Sequence, residues 1–328
     1  MKNQAKRNKV KVKKNKFLGL EKVEQLRINK DISVDELVRG MGGAGVMGGG
    51  MIARAASIIT DMFKDKDCTV FLGAAGALVP GGMKNILIDM LSTGRIKVFV
   101  TTGAILTHDL VEALGYSHYQ GTARVDDAVL HKKGIDRMYD SFMHNEVYEG
   151  LEEFFAKHFS KLFKKRLSIK DFLFKLGALV PRKEPSILRT CYEKKIKLFC
   201  PAIADSGIGL MVWGHLARNR EVDVQAFEDL KDMLDIAWSS KKSGFIYLGG
   251  GVPKNYIQQA LQFSQGASYG VQITMDRPEP GGSSGAELRE GISWGKLRER
   301  ARFTDVICDV TIALPLIWGA VKGRLSRE

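Results

Sequence analysis

Six short runs along the chain are almost wholly apolar and rich in β-branched or aromatic residues: "CTVFLGAAG" from 68, "IKVFVTTG" from 96, "IKLFCPAIADSG" from 196, "SGFIYLGGG" from 243, "GVQITM" from 270 and "FTDVICDV" from 303. Runs of this kind, without polar alternation, are expected of strands covered on both faces. Between most of them the apolar residues recur at helical spacing, as in "MKNILIDMLSTG" and "VQAFEDLKDMLDIAWSS". Strand and helix in alternation predict an α/β fold: a doubly wound, mostly parallel sheet with helices on both faces, in one large domain.

Sheets of that type bind ligands beyond the carboxyl ends of their strands. The runs end in "GAAGALVPGG", "TTGAILTHD", "PAIADSGIG", "GGGVPKN" and "TMDRPEPGGSSG". Small residues let a ligand approach the backbone, and the free N–H groups of a following helix attract phosphate. One such turn is explained by tight chain reversal alone. Five on one edge point to a nucleotide cofactor. The string "GAGVMG" at 43–48 matches G-x-G-x-x-G, but a helical pattern, "ISVDELVRGMG", precedes it where the fingerprint needs a strand. Close helix packing or a mobile loop explains those glycines better.

With 328 residues and 45% hydrophobic content the chain can bury a full core. The net charge of +13 is concentrated in two blocks. Residues 1–16 carry eight Lys or Arg and no acid, which predicts a flexible basic tail followed by a folded domain over 17–328. Residues 157–183 carry nine basic residues against Asp171, interleaved with Phe159, Leu162, Phe163, Phe172, Leu173 and Phe174. That pattern predicts a pair of amphipathic helices with their charges in water. No aromatic residue interrupts the first block, so it offers no stacking platform for a nucleic acid. The four cysteines are far apart and form no C-x-x-C pair, which argues against a disulfide framework or a zinc site. Reduced thiols, and the lack of an apolar run long enough to span a bilayer, predict a cytoplasmic protein with no membrane partner.

The last third holds the densest chemistry. "GGSSGAELREGISWGKL" brings together Ser283, Ser284, Glu290, Trp294 and Lys296. A lysine becomes a nucleophile when desolvation or a neighbouring cation lowers its proton affinity, and it then forms imines with carbon centres. An indole face can wall such a pocket and attract an alkylammonium substrate. Glu290 could hold a substrate ammonium. Taken singly, Trp294 could equally be core, and Glu290 and Lys296 a solvated pair.

"SWGK" preceded by an acid, with "GGGVPKN", "PAIADSGIG", "VTTGAILTHDL" and "ICDVTIALPL", resembles the deoxyhypusine synthase family from about residue 35 to the C-terminus, in its archaeal form more than its animal one. The resemblance implies a Rossmann-like fold and an NAD-dependent transfer of the aminobutyl group of spermidine. The group passes through an enzyme-lysine imine to a lysine of the hypusine-bearing translation factor precursor. It implies Lys296 as that enzyme lysine, Trp294 as the indole of the amine tunnel and Glu290 as an acid that binds the polyamine. For NAD it implies Thr102, Gly103, Asp205, Gly249, Gly250, Gly251, Thr274 and Asp309. His108 stands where the family often has an acid near the cofactor. The family's sites lie at subunit interfaces of a homotetramer built from two dimers.

Three positions depart from the animal pattern: Leu210 and Ser283 replace aspartates, and Asn255 replaces a histidine. The family uses these positions to hold the amines of spermidine. Losing two carboxylates should weaken attraction for a polycation, which brings agmatine forward as an alternative donor. Transfer to putrescine, giving homospermidine, and a catalytically inactive NAD- or RNA-binding protein are the other readings.

Overall fold

The computed structural model describes residues 20–163, 165–218 and 220–327, so the basic tail expected over residues 1–16 lies outside it. The six apolar runs all become strands of one parallel sheet: β1 (Cys68–Ala74), β2 (Ile96–Thr101), β3 (Lys197–Phe199), β4 (Lys242–Leu248), β5 (Ala267–Thr274) and β6 (Leu297–Ile307). Their order across the sheet is β3-β2-β1-β4-β5-β6. This is the doubly wound dinucleotide-binding order, in which the winding reverses between β1 and β4.

Alternate residues of β1, β2 and β4 feed two separate cores, which is why those runs are almost wholly apolar. On one face Val70, Leu72, Phe99, Ile246, Leu248, Val271 and Ile273 pack beneath helices that include Met47–Lys64, Gly103–Ala113 and Val310–Leu325. On the other, Phe71, Val98, Val100, Phe245 and Tyr247 meet the helices Phe227–Ser239 and Gly251–Gln262, with Leu288 and Leu297.

"GAGVMG" forms the corner between two packed helices. Gly45 closes Val34–Ala44 in the left-handed region at φ 72°, and a Cβ on Gly50 would lie 2.6 Å from the Gly45 carbonyl carbon. The glycines serve close approach of backbone, and among the described residues no strand precedes them. The second basic block forms the helices Val147–Leu162 and Ile169–Leu179, joined by stacked Phe163 and Phe172 rings 5.4 Å apart. Asp109 of "LTHDL" is fully buried. Its carboxylate accepts hydrogen bonds from Ser186 Oγ (2.8 Å), Ile187 N (2.7 Å) and Leu188 N (2.9 Å), tying its helix to Ile187–Glu193.

A small antiparallel sheet, Tyr119–Gln120, Ile135–Met138 and Ser141–His144, is inserted after the helix Gly103–Ala113. Ser141 Oγ donates to Pro80 O at 3.1 Å, which docks the insertion on the loop that follows β1. All four cysteines are free, with Cys191 and Cys200 buried. Among the described residues no helix is long and apolar enough to cross a membrane, and no group of side chains could hold a metal ion.

Candidate active site

The glycine-rich turns do gather at the carboxyl edge of the sheet. At the reversal point Ala75 N donates to Leu248 O (2.9 Å) and Gly249 N to Ile273 O (2.8 Å), so β1, β4 and β5 end together. Gly249 and Gly251 have φ of 77° and 61°, a region that costs other residues strain. The helix Gly251–Gln262 begins at Gly250 without a side-chain cap, leaving its first N–H groups open to an anion.

Thr102 precedes the uncapped helix Gly103–Ala113, and its Oγ1 is buried without a hydrogen-bond partner. Beside it, a Cβ on Gly103 would lie 2.4 Å from Ser206 Cβ, which brings the start of Gly207–Leu216 against the start of Gly103–Ala113. Asp205, one residue earlier, is exposed. An orphaned hydroxyl, an open helix end and a free carboxylate on one edge fit a dinucleotide. Two expected residues are already engaged: Thr274 Oγ1 accepts from Asp276 N (3.1 Å), and the Asp309 carboxylate caps its own helix by accepting from Thr311 N (2.7 Å) and the Thr311 hydroxyl.

Lys296 occupies the other end of the sheet. It immediately precedes β6, and its carbonyl accepts from Ala267 N (3.1 Å) at the start of β5. Its Nζ lies 4.7 Å from the centroid of the Trp294 ring, whose residue is 60% exposed and therefore not core. Burial pushes the Lys296 amine below the ordinary lysine range, while the indole face favours its charged form. Glu290 opens the short helix Glu290–Ser293 and is exposed.

Two buried side chains and the half-buried Asp305 hold alternate residues of the segment leading to Lys296. Gln272 Nε2 donates to Ser284 O (3.2 Å), Lys254 Nζ to Ala286 O (2.6 Å), and Leu288 N to Asp305 (3.2 Å). A Cβ on Gly250 would lie 2.5 Å from Ser284 Cα, so the same segment rests on the triple glycine. Tyr247, Gln272 and Asp305 are cross-strand neighbours on β4, β5 and β6. Lys254 was not anticipated. Its signal was a lysine on the apolar face of its helix, in line with buried Ile257 and Leu261.

His108 belongs to a chain of polar contacts: its Nδ1 is 2.9 Å from His118 Nε2, His118 Nδ1 is 2.8 Å from Glu112, and Glu112 is paired with Lys84. Burial, then the His118 charge, push His108 down to about 4, against a smaller opposing effect of Glu112. Its folded-state value is depressed, so its contribution to stability is present above about 6.5, the unfolded value, and is lost as pH falls towards 4. The expected loss is on the order of 3 kcal/mol. Urea midpoints of the protein and of His108→Gln at pH 7.5 and 5 should show a smaller decline in the variant; equal declines would disprove the assignment.

Of the three departures, Asn255 is half-buried on the helix Gly251–Gln262 and Ser283 is exposed. Leu210 is 55% exposed and lines a cleft of about 230 Å³ with Glu152, Trp213 and Arg218.

The fold is that of a doubly wound α/β protein with glycine-rich turns at one edge of its sheet and a partly desolvated lysine at the other. Residues 36–321 match the deoxyhypusine synthase family model. "Probable deoxyhypusine synthase 1" of Methanosarcina acetivorans is 42% identical over 307 residues, covering 93% of this chain and 96% of that relative. A protein of the same description from Archaeoglobus fulgidus is 38% identical over 308 residues, covering 94% and 100%. A crystal structure of a proposed deoxyhypusine synthase from Entamoeba histolytica has a TM-score of 0.60 at 18% identity, covering 90% of this chain and 94% of that one. The chain belongs to the deoxyhypusine synthase family and is an aminobutyltransferase.

Proposed function

We propose that the protein is an NAD-dependent deoxyhypusine synthase, with spermidine as donor and the hypusine-bearing translation factor precursor as acceptor. The observation that carries this is Lys296, a partly desolvated amine set against an indole in a family whose reaction is aminobutyl transfer. When bound, NAD supplies the hydride acceptor for oxidation of the donor amine and the hydride donor for the final reduction. Thr102, Gly103, Asp205 and Gly249–Gly251 hold it, with the backbone around Thr274 and Asp309 closing the edge.

Lys296, as free amine, attacks the oxidised carbon of spermidine, and diaminopropane leaves. The aminobutyl group then rests on Lys296 as an imine. A lysine of the precursor displaces Lys296, which regenerates the amine and carries the imine to the acceptor for reduction. Glu290 holds the distal ammonium, Trp294 walls the tunnel and keeps water from the imine, and Asn255 and Ser283 contact the donor chain.

The site is completed by a second subunit of a homotetramer. β5 has eight residues, which makes the sheet about 23 Å deep at ~3.3 Å per residue. The Lys296 backbone and the glycine-rich edge are at opposite ends of that depth, farther apart than a lysine side chain reaches. Apolar side chains exposed on the single chain, including Trp294, Met275 and Ile312, supply surface for such an interface. The cytoplasm is the compartment in which this reaction meets its acceptor.

Incubation with NAD and spermidine, without acceptor, followed by borohydride should leave the Lys296 peptide heavier by about 71 Da, one aminobutyl group. An unmodified Lys296 peptide, with diaminopropane nevertheless released, would remove the imine from the reaction.

A further inference from the structure

The glycines of "GAGVMG" belong to a cleft of about 490 Å³, where the helices Val34–Ala44, Met47–Lys64 and Val310–Leu325 meet the edge strand β6. Gly42, Gly45, Gly50 and Ala53 line it, and the two helices are too close there for larger groups. A Cβ on Gly42 would lie 3.2 Å from Ala53 Cβ, and one on Gly50 2.6 Å from the Gly45 carbonyl carbon. A bound group can therefore come close to the helix backbone.

Four arginines, Arg39, Arg54, Arg302 and Arg324, line the same cleft, and among the described residues no carboxylate does. Three of them are held by acids outside the lining. Arg324 Nε lies 2.8 Å and Arg39 Nη2 3.3 Å from the buried Asp35 carboxylate, and Arg302 Nη1 lies 2.6 Å from Asp61. These contacts fix the guanidiniums and leave most of their donors free. Asp35 also meets Arg327 at 3.3 Å, so one buried carboxylate faces three guanidiniums. Glu36, which is close enough to feel Arg39 and Arg327, is engaged by the helix cap at Ser33. The side chains of Arg54 and Ser57, one turn apart on the helix face that carries Gly50 and Ala53, have no hydrogen-bond or ion-pair partner among the described residues. Positive charge is gathered here with too few acids to balance it, and a bound anion supplies the rest.

We propose that this cleft is a second ligand site, which binds an anion carrying several phosphate groups through the guanidiniums of Arg39, Arg54, Arg302 and Arg324 and the Ser57 hydroxyl. The planar fork of arginine takes phosphate oxygens two at a time, so four forks around one floor engage more oxygens than a single phosphate offers. The volume is that of a small-ligand pocket. None of the lining residues belongs to the glycine-rich edge or to the segment that carries Lys296, so the site stands apart from the functional assignment above.

The full chain, with NAD present to fill the glycine-rich edge, is titrated with inorganic tripolyphosphate at about 0.15 M salt and binding is read by calorimetry. Binding by the basic residues 1–16 or by that edge is common to parent and variants, so the difference between them is what decides. Arg54→Ala removes a guanidinium that no contact of the fold uses, Arg54→Lys keeps the charge without the fork, and Lys66→Ala removes an exposed cation elsewhere. The expected result is binding about tenfold weaker in Arg54→Ala, a smaller loss in Arg54→Lys and none in Lys66→Ala. Tripolyphosphate should also raise the melting temperature of the parent more than that of Arg54→Ala, and the same melting curves confirm that each variant is folded. ATP in a parallel titration separates two sources of the phosphate groups: equal affinity assigns a free phosphate chain and tighter binding a nucleotide, and either supports the site when Arg54→Ala weakens it. Equal binding of tripolyphosphate by parent and Arg54→Ala, or binding by neither, overturns the proposal. In the second case, single-stranded RNA retained by the parent and released by Arg54→Ala would assign the cleft to nucleic acid instead.

Discussion

Lys296→Ala is expected to abolish aminobutyl transfer, with a fall in kcat of at least about 10³-fold, as when a covalent nucleophile is removed elsewhere. The fold should survive, because Lys296 is half-buried and its only hydrogen bonds among the described residues are backbone ones, to Gly291 O and from Ala267 N. Lys296→Arg separates charge from nucleophilicity: it keeps the cation against the Trp294 ring but cannot form the imine. Both variants should therefore be inactive while melting within a few degrees of the parent. An Arg variant that retains a tenth of parental activity would mean that the group is transferred without an enzyme-bound intermediate.

The second large effect concerns the donor. Leu210 is an exposed leucine beside Trp213 in a cleft that also holds Glu152 and Arg218, at a position where animal relatives are expected to carry an aspartate. A carboxylate there should gain one charge-assisted contact with an ammonium of the donor, which is worth roughly 1.5–3 kcal/mol. Leu210→Asp is thus expected to raise kcat/KM for spermidine by roughly ten- to a hundredfold, with a smaller gain for agmatine. A parent that consumes agmatine faster than spermidine would place Leu210, Asn255 and Ser283 at the centre of donor choice. An Asp variant with unchanged kcat/KM for both donors would show that this helix does not meet the amine.

Much of this architecture was legible from pattern alone, for physical reasons. Strands such as Val70–Leu72 and Phe245–Tyr247 feed cores on both faces, so their runs are apolar without interruption. The glycines at 249 and 251 carry positive φ at the winding reversal, a constraint that leaves a direct trace in the chain. The small antiparallel sheet left none: Tyr119–Gln120 is two exposed residues, too short for alternation to register. Asp309 illustrates a different limit. A carboxylate at a strand-to-helix junction serves a ribose or caps a helix, and only the position of Thr311 N reveals the cap.

Lys254 and Lys296 mark the boundary between motif and environment. Both are lysines near glycines, and their local strings do not rank them. Burial and a hydrogen bond to Ala286, with Asp305 alongside, make Lys254 a structural tie. Contact with an exposed indole distinguishes the amine in reach of a substrate. Strand polarity carried one further clue. Lys296 precedes β6 while the candidate cofactor turns follow their strands, so the two halves of the chemistry begin at opposite ends of the sheet.

The most direct test of the account is the intact mass of the organism's own translation factor precursor after incubation with the protein, NAD and spermidine, with Lys296→Ala and agmatine in parallel reactions. A gain of about 71 Da on the precursor is expected, absent in the Ala variant. An unmodified precursor, together with homospermidine formed when putrescine is added, would contradict it.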